Sequence, residues 1–173
     1  MNETDEDLED VDISPQLAEL MAQEVSPRQD PSQILQHLFL GNWPDSTNLF
    51  RLEQLNIHHF VEVCSGGSYT REEQHETGGR VLKVPAVDDP TYDLAQHFDA
   101  TFDFIDELIS RKDNVLVYCQ AGVSRSPTVV IAYLMKKYKL TLQQAHYLVV
   151  QRRSCVCPNL GFREALEQLD SQP

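Results

Sequence analysis

Residues 115–118 read Val-Leu-Val-Tyr and run straight into a polar loop, which runs straight into an apolar helix. This succession limits the fold more than anything else in the chain. A short, wholly apolar strand is the kind that is covered on both faces. A helix that starts at once behind it must pack back onto the same sheet. The helix is predicted over residues 127–138, with Pro127 at its first position and Ser126 as its N-cap. Other segments repeat the alternation. Residues 34–40 alternate apolar and polar side chains and end at Gly41, residues 57–63 read as a second strand, and residues 81–84 as a third. Helices are predicted from Leu49, Leu52 and Leu55, from Leu94, Phe98, Phe102, Ile105 and Ile109 after Asp93 with Gln96, from 141 to about 153 behind a Thr141–Gln144 capping box, and from 162 to 169. Strands alternating with helices define an α/β fold, a central mixed sheet flanked by helices.

The 173 residues suit a single domain. Ten of the 27 acids fall in residues 1–30 against one Arg, which accounts for −9 of the net charge of −13. Residues 1–30 are therefore read as an acidic, disordered tail, in which 14–25 offers a short helix through Leu17, Leu20 and Met21. The folded domain is expected over 31–173. A body this mildly acidic has no basic stripe for nucleic acid. The longest apolar run, residues 129–135, is too short to span a bilayer, and the acidic start is unlike a signal peptide. Reduced thiols, a cytoplasmic or nuclear location and a monomer are the expectations.

The chemistry concentrates in residues 117–126, Val-Tyr-Cys-Gln-Ala-Gly-Val-Ser-Arg-Ser. A tight loop that ends at a helix N-terminus turns several backbone N–H groups inward and makes an anion nest. Gln120, Ala121, Gly122, Val123 and Ser124 supply that backbone, and Gly122 permits the close turn. Arg125 presents a planar fork that matches two phosphate oxygens. Cys119 sits at the mouth, where the field that binds phosphate also favours a thiolate nucleophile. Taken singly, Cys119 is as readily a small buried apolar residue and Arg125 a surface cap.

These residues resemble the dual-specificity branch of the cysteine-based protein tyrosine phosphatases. The resemblance covers roughly residues 31–170, through the opening segment 34–41, the helix 132–135, Gln151-Arg152-Arg153, Pro158-Asn159 and Gly161-Phe162. It implies phosphorylated protein substrates, a shallow pocket that admits phosphotyrosine and phosphoserine or phosphothreonine, no cofactor and no metal. It also implies a general acid on a loop before a long helix. Asp88 in the segment 84–90 matches best and Asp89 is the alternative, either being also an ordinary turn residue before Pro90. Ser126 falls where the family places a hydroxyl on the leaving thiolate. Tyr118 departs from the pattern, which has His there; Tyr can donate a hydrogen bond but carries no positive charge.

Some residues carry bland and sharp readings together. Arg152 and Arg153 complement a helix C-terminus or form a second anion site. Cys64 is a core residue or a disulfide partner for Cys119. Cys155 and Cys157 are loop cysteines without the second pair that zinc spacing requires. A phosphatase-like domain that captures phosphopeptides without turnover is the alternative function.

Overall fold

The computed structural model describes residues 10–26, 30–66 and 79–173. Five strands form one sheet: β1 (Ser32–Leu35), β2 (Leu38–Gly41), β3 (Ile57–Val63), β4 (Val81–Val84) and β5 (Asn114–Tyr118), in the order β1-β2-β5-β3-β4. β1 and β2 are antiparallel, while β2, β5, β3 and β4 run parallel. The α/β class with a mixed sheet is thus the observed one. β5 lies at the centre, and its residues from Val115 to Tyr118 have no exposed surface.

The segment 34–40, expected as one strand, is a hairpin. Leu35 pairs with Leu38 across a turn in which His37 adopts φ 69°. Leu38, Phe39, Leu40 and Gly41 are all buried, so an alternating pattern in the letters hides two strands that are each covered by other elements. The polar loop after β3 falls largely on residues 67–78, outside the described residues.

Seven α-helices are described: α1 (Pro15–Met21), α2 (Trp43–Thr47), α3 (Leu49–Gln54), α4 (Phe98–Ser110), α5 (Arg125–Tyr138), α6 (Leu142–Arg152) and α7 (Leu160–Asp170). The expected Thr141–Gln144 capping box opens α6. Asp93 makes no side-chain cap; instead Gln96 donates to its carbonyl, and a short 3-10 turn, Leu94–His97, precedes α4. α5 is buried from Arg125 to Met135, because the sheet lies on one side of it and α4, α6 and α7 on the others.

The boundary drawn at residue 31 needs correction. α1 docks on α6, with Leu17 fully buried and Leu20 nearly so in the main core. Gln144 donates to the carbonyl of Asp12, and Arg152 to that of Met21. Each buried Leu is worth about 1.5–3 kcal/mol, enough to hold a helix that Ser14 already caps. The described acids near it, Asp10, Asp12, Glu19 and Glu24, are exposed. Among the described residues, no helix is long and apolar enough to cross a membrane.

Candidate active site

The chain leaves β5 at Tyr118 and turns at once. Cys119 is buried, and two donors aim at its sulfur: the Gly122 N–H at 3.2 Å and the Ser126 hydroxyl at 3.1 Å. Two donors on one sulfur form the set that a thiolate fills better than a thiol. Gly122 makes this turn with φ 67°, and a Cβ there would stand 2.5 Å from Arg153 Nη2 and 2.7 Å from the Gly41 carbonyl oxygen. Only glycine meets both demands.

The loop carbonyls are held from outside. Gln120 O accepts from Trp43 N at 3.2 Å, Gly122 O from Arg153 Nε at 2.9 Å, and Val123 O from Cys157 N at 2.8 Å. Because peptide groups are planar and trans, a carbonyl turned outward turns the next residue's N–H inward. The amides of Ala121, Val123 and Ser124 therefore face the hollow, as the anion nest requires.

The helix behind the loop begins two residues earlier than expected. Ser124, not Ser126, is the N-cap of α5, and Pro127 is its third residue. Ser124 gives its first turn no side-chain cap; its hydroxyl accepts from Asn159 N at 2.8 Å. The first-turn amides keep their capacity for an anion. Ser126 instead spends its hydroxyl on the Cys119 sulfur, with the Gly41 carbonyl 3.4 Å away. Arg125, the first helical residue, is buried, and its Nη1 donates to Ala86 O at 3.0 Å. That bond ties the phosphate-shaped loop to the segment between β4 and α4.

The two carboxylates of that segment separate cleanly. Asp88 is exposed, and its Oδ1 accepts from Asn159 Nδ2 at 2.9 Å. Asp89 accepts from both the amide and the hydroxyl of Thr91, which together hold its carboxyl below the usual carboxylate range. Asp89 is the turn residue; Asp88 is joined to the loop through Asn159.

Tyr118 is fully buried and points away from the hollow. Its hydroxyl donates to Glu62 Oε2 at 2.7 Å, across the β3–β5 pair in which the two residues are opposite. Its ring lies 6.2 Å from Trp43 and 6.3 Å from Phe60. Arg153 is buried and committed to Gly122, to Asp30 at 2.9 Å and to Ser32 at 3.2 Å. It buttresses the loop rather than standing free for a second anion. All four cysteines are free thiols, and burial pushes the Cys64 thiol up to about 12. Sequence reasoning assigned no role to Gly41, Trp43, Ala86 or Asn159. Three of these act through backbone atoms, which leave no mark in side-chain letters. Asn159 was legible only as part of the Pro158-Asn159 match in the family resemblance.

Residues 38–172 match the family model described as the catalytic domain of dual specificity phosphatases. Mouse dual specificity protein phosphatase 22 is 36% identical over 80% of this chain and 73% of its own length. Human dual specificity protein phosphatase 9 is 39% identical over 76% of this chain, but over only 34% of its own length, so the chain spans about a third of that relative. Among solved structures, the human tyrosine phosphatase-like serine/threonine/tyrosine-interacting protein superposes with a TM-score of 0.76 at 29% identity, covering 81% of this chain and 95% of the other. With a parallel core, a strand–loop–helix anion nest and a cysteine at its mouth, the chain belongs to the dual specificity phosphatase family.

Proposed function

We propose that the protein hydrolyses phosphotyrosine and phosphoserine or phosphothreonine in proteins through a phosphocysteine intermediate. The observation that carries this reading is the Cys119 sulfur, which receives two hydrogen bonds at the mouth of a loop whose amides face inward. In the first step the Cys119 sulfur bonds to phosphorus while the ester bond breaks. The loop amides and Arg125 hold the three non-bridging oxygens, and Asp88 delivers its proton to the departing oxygen. In the second step Asp88 takes a proton from water, the water oxygen bonds to phosphorus, and the sulfur leaves as a thiolate. Ser126 donates to that thiolate from 3.1 Å.

The test is hydrolysis of p-nitrophenyl phosphate and of phosphopeptides by the purified protein without added metal. Cys119→Ser is expected to lose turnover more than 10³-fold while tungstate, a tetrahedral oxyanion, still binds, since an alkoxide forms poorly at neutral pH and the amide nest is unchanged. Turnover by that variant above a tenth of the parent rate removes Cys119 from the nucleophile's role. Tyr118 favours one second reading, capture of phosphopeptides without turnover, because it brings no positive charge beside the nucleophile. A protein that binds phosphopeptides and turns none over establishes that reading instead. A thiolate nucleophile needs a reducing compartment, which supports a cytoplasmic or nuclear location.

A further inference from the structure

Asn159 joins three parts of the chain by hydrogen bonds: α7, the phosphate loop and the Asp88 segment. Its side-chain oxygen accepts from Phe162 N at 2.9 Å and caps α7. Its backbone N–H donates to Ser124 Oγ in the phosphate loop at 2.8 Å. Its side-chain nitrogen donates to Asp88 Oδ1 at 2.9 Å. The cap fixes which way the amide faces, because only an oxygen can accept from Phe162 N; the group that meets Asp88 is then NH2, a donor. The same short segment also braces the loop two residues on. A Cβ at Gly161 would lie 1.8 Å from the Pro90 carbonyl oxygen, so the start of α7 and the Asp88 loop touch backbone to backbone.

We propose that Asn159 is the positioning residue for the general acid, which rests on the phosphatase reading above. An exposed carboxyl on the nine-residue segment 85–93, between β4 and the 3-10 turn, has many rotamers to choose from. The Asn159 amide selects one of them and occupies Oδ1. The proton is left on Oδ2, the oxygen free to face the departing group. Because the same residue bonds Ser124, the acid is referenced to the loop that holds the phosphate. Proton transfer needs this registration, since a group misplaced by about 1 Å loses much of its effect.

The experiment compares two aryl phosphates that differ in leaving group. p-Nitrophenyl phosphate departs without much help, whereas phenyl phosphate needs the proton. Asn159→Ser keeps a residue type as good at capping α7 but cannot reach Asp88. Its kcat on phenyl phosphate is expected to fall about tenfold, against at most about threefold on p-nitrophenyl phosphate, with Tm held. Asn159→Asp keeps the cap and sets an acceptor against an acceptor, and should show the same selective loss at neutral pH. Combined with Asp88→Asn, neither change should add more than about twofold, because both act on one group. Equal loss on both substrates, or full additivity with Asp88→Asn, overturns the assignment. So does an unchanged rate on phenyl phosphate. If the parent protein turns over neither substrate, the phosphatase reading fails first and this inference goes with it; normal parent turnover without leaving-group selectivity sinks this inference alone.

Discussion

At the scale of single residues, the site depends on shape more than on charge. Arg125→Lys keeps the positive charge but loses the fork and the bond to Ala86 O. The expected outcome is a fall in kcat of at least about 10²-fold on p-nitrophenyl phosphate with the fold intact, measured by steady-state rates beside circular dichroism. Gly122→Ala meets both a positive φ and atoms at 2.5 and 2.7 Å. It should abolish tungstate binding and lower Tm by several degrees, since backbone strain and a clash with Gly41 act together. Tyr118→Phe removes the hydroxyl that donates to the buried Glu62 carboxylate, a loss of about 1.5–3 kcal/mol in urea unfolding, with little effect on KM because the ring faces the core. The strand–loop–helix succession from Tyr118 to Ser126 was legible because residues contiguous in sequence stay together in space. The different surroundings of Asp88 and Asp89 were not, because they are set by Thr91 on one side and Asn159, far along the chain, on the other.

At the scale of elements, the sequence was clearest where periodicity and caps agree, as in β3, β5 and α6. It misled in two places for physical reasons. The β1–β2 hairpin turns through His37 in the left-handed region without a glycine to announce it. The helix through Leu17, Leu20 and Met21 was read, but a charge count over thirty residues set it apart from the core that Leu17 and Leu20 enter. Leu17→Ala is therefore expected to destabilise the protein by about 2–5 kcal/mol, the cost of a fully buried Leu. Removing residues 1–21 should cost at least as much. Urea midpoints of the two variants against the parent check this, and a midpoint shift below 0.3 M would place α1 outside the cooperative unit.

At the scale of the whole molecule, the loop is suspended between distant parts of the chain: Gly41 at the end of β2 and Trp43 just behind it, Ala86 behind β4, and Arg153 and Cys157 behind α6. Burial separates the cysteines of this assembly by reactivity. Cys64 is buried with its thiol pushed up to about 12, so at pH 8 its thiolate fraction is about 10⁻⁴. Burial penalises the charged form, and reactivity appears only as pH climbs toward that value or as the fold opens. Iodoacetamide at pH 8 should label the exposed Cys155 and Cys157 in the native protein and leave Cys64 unmodified until urea is added. Peptide mass spectrometry reads this directly, and labelling of native Cys64 at the pace of the exposed pair would contradict the packing around it.

The backbone of Trp43 holds Gln120, and its ring lies against Tyr118, on either side of the nucleophile. It is also the single tryptophan in the sequence. The indole is thus a built-in optical probe placed at the loop itself, and no dye or tag is needed to follow it. Emission from the intact chain reports whether this one turn is closed, whether the event is an oxyanion arriving, a strained variant relaxing or a denatured chain finding its way back.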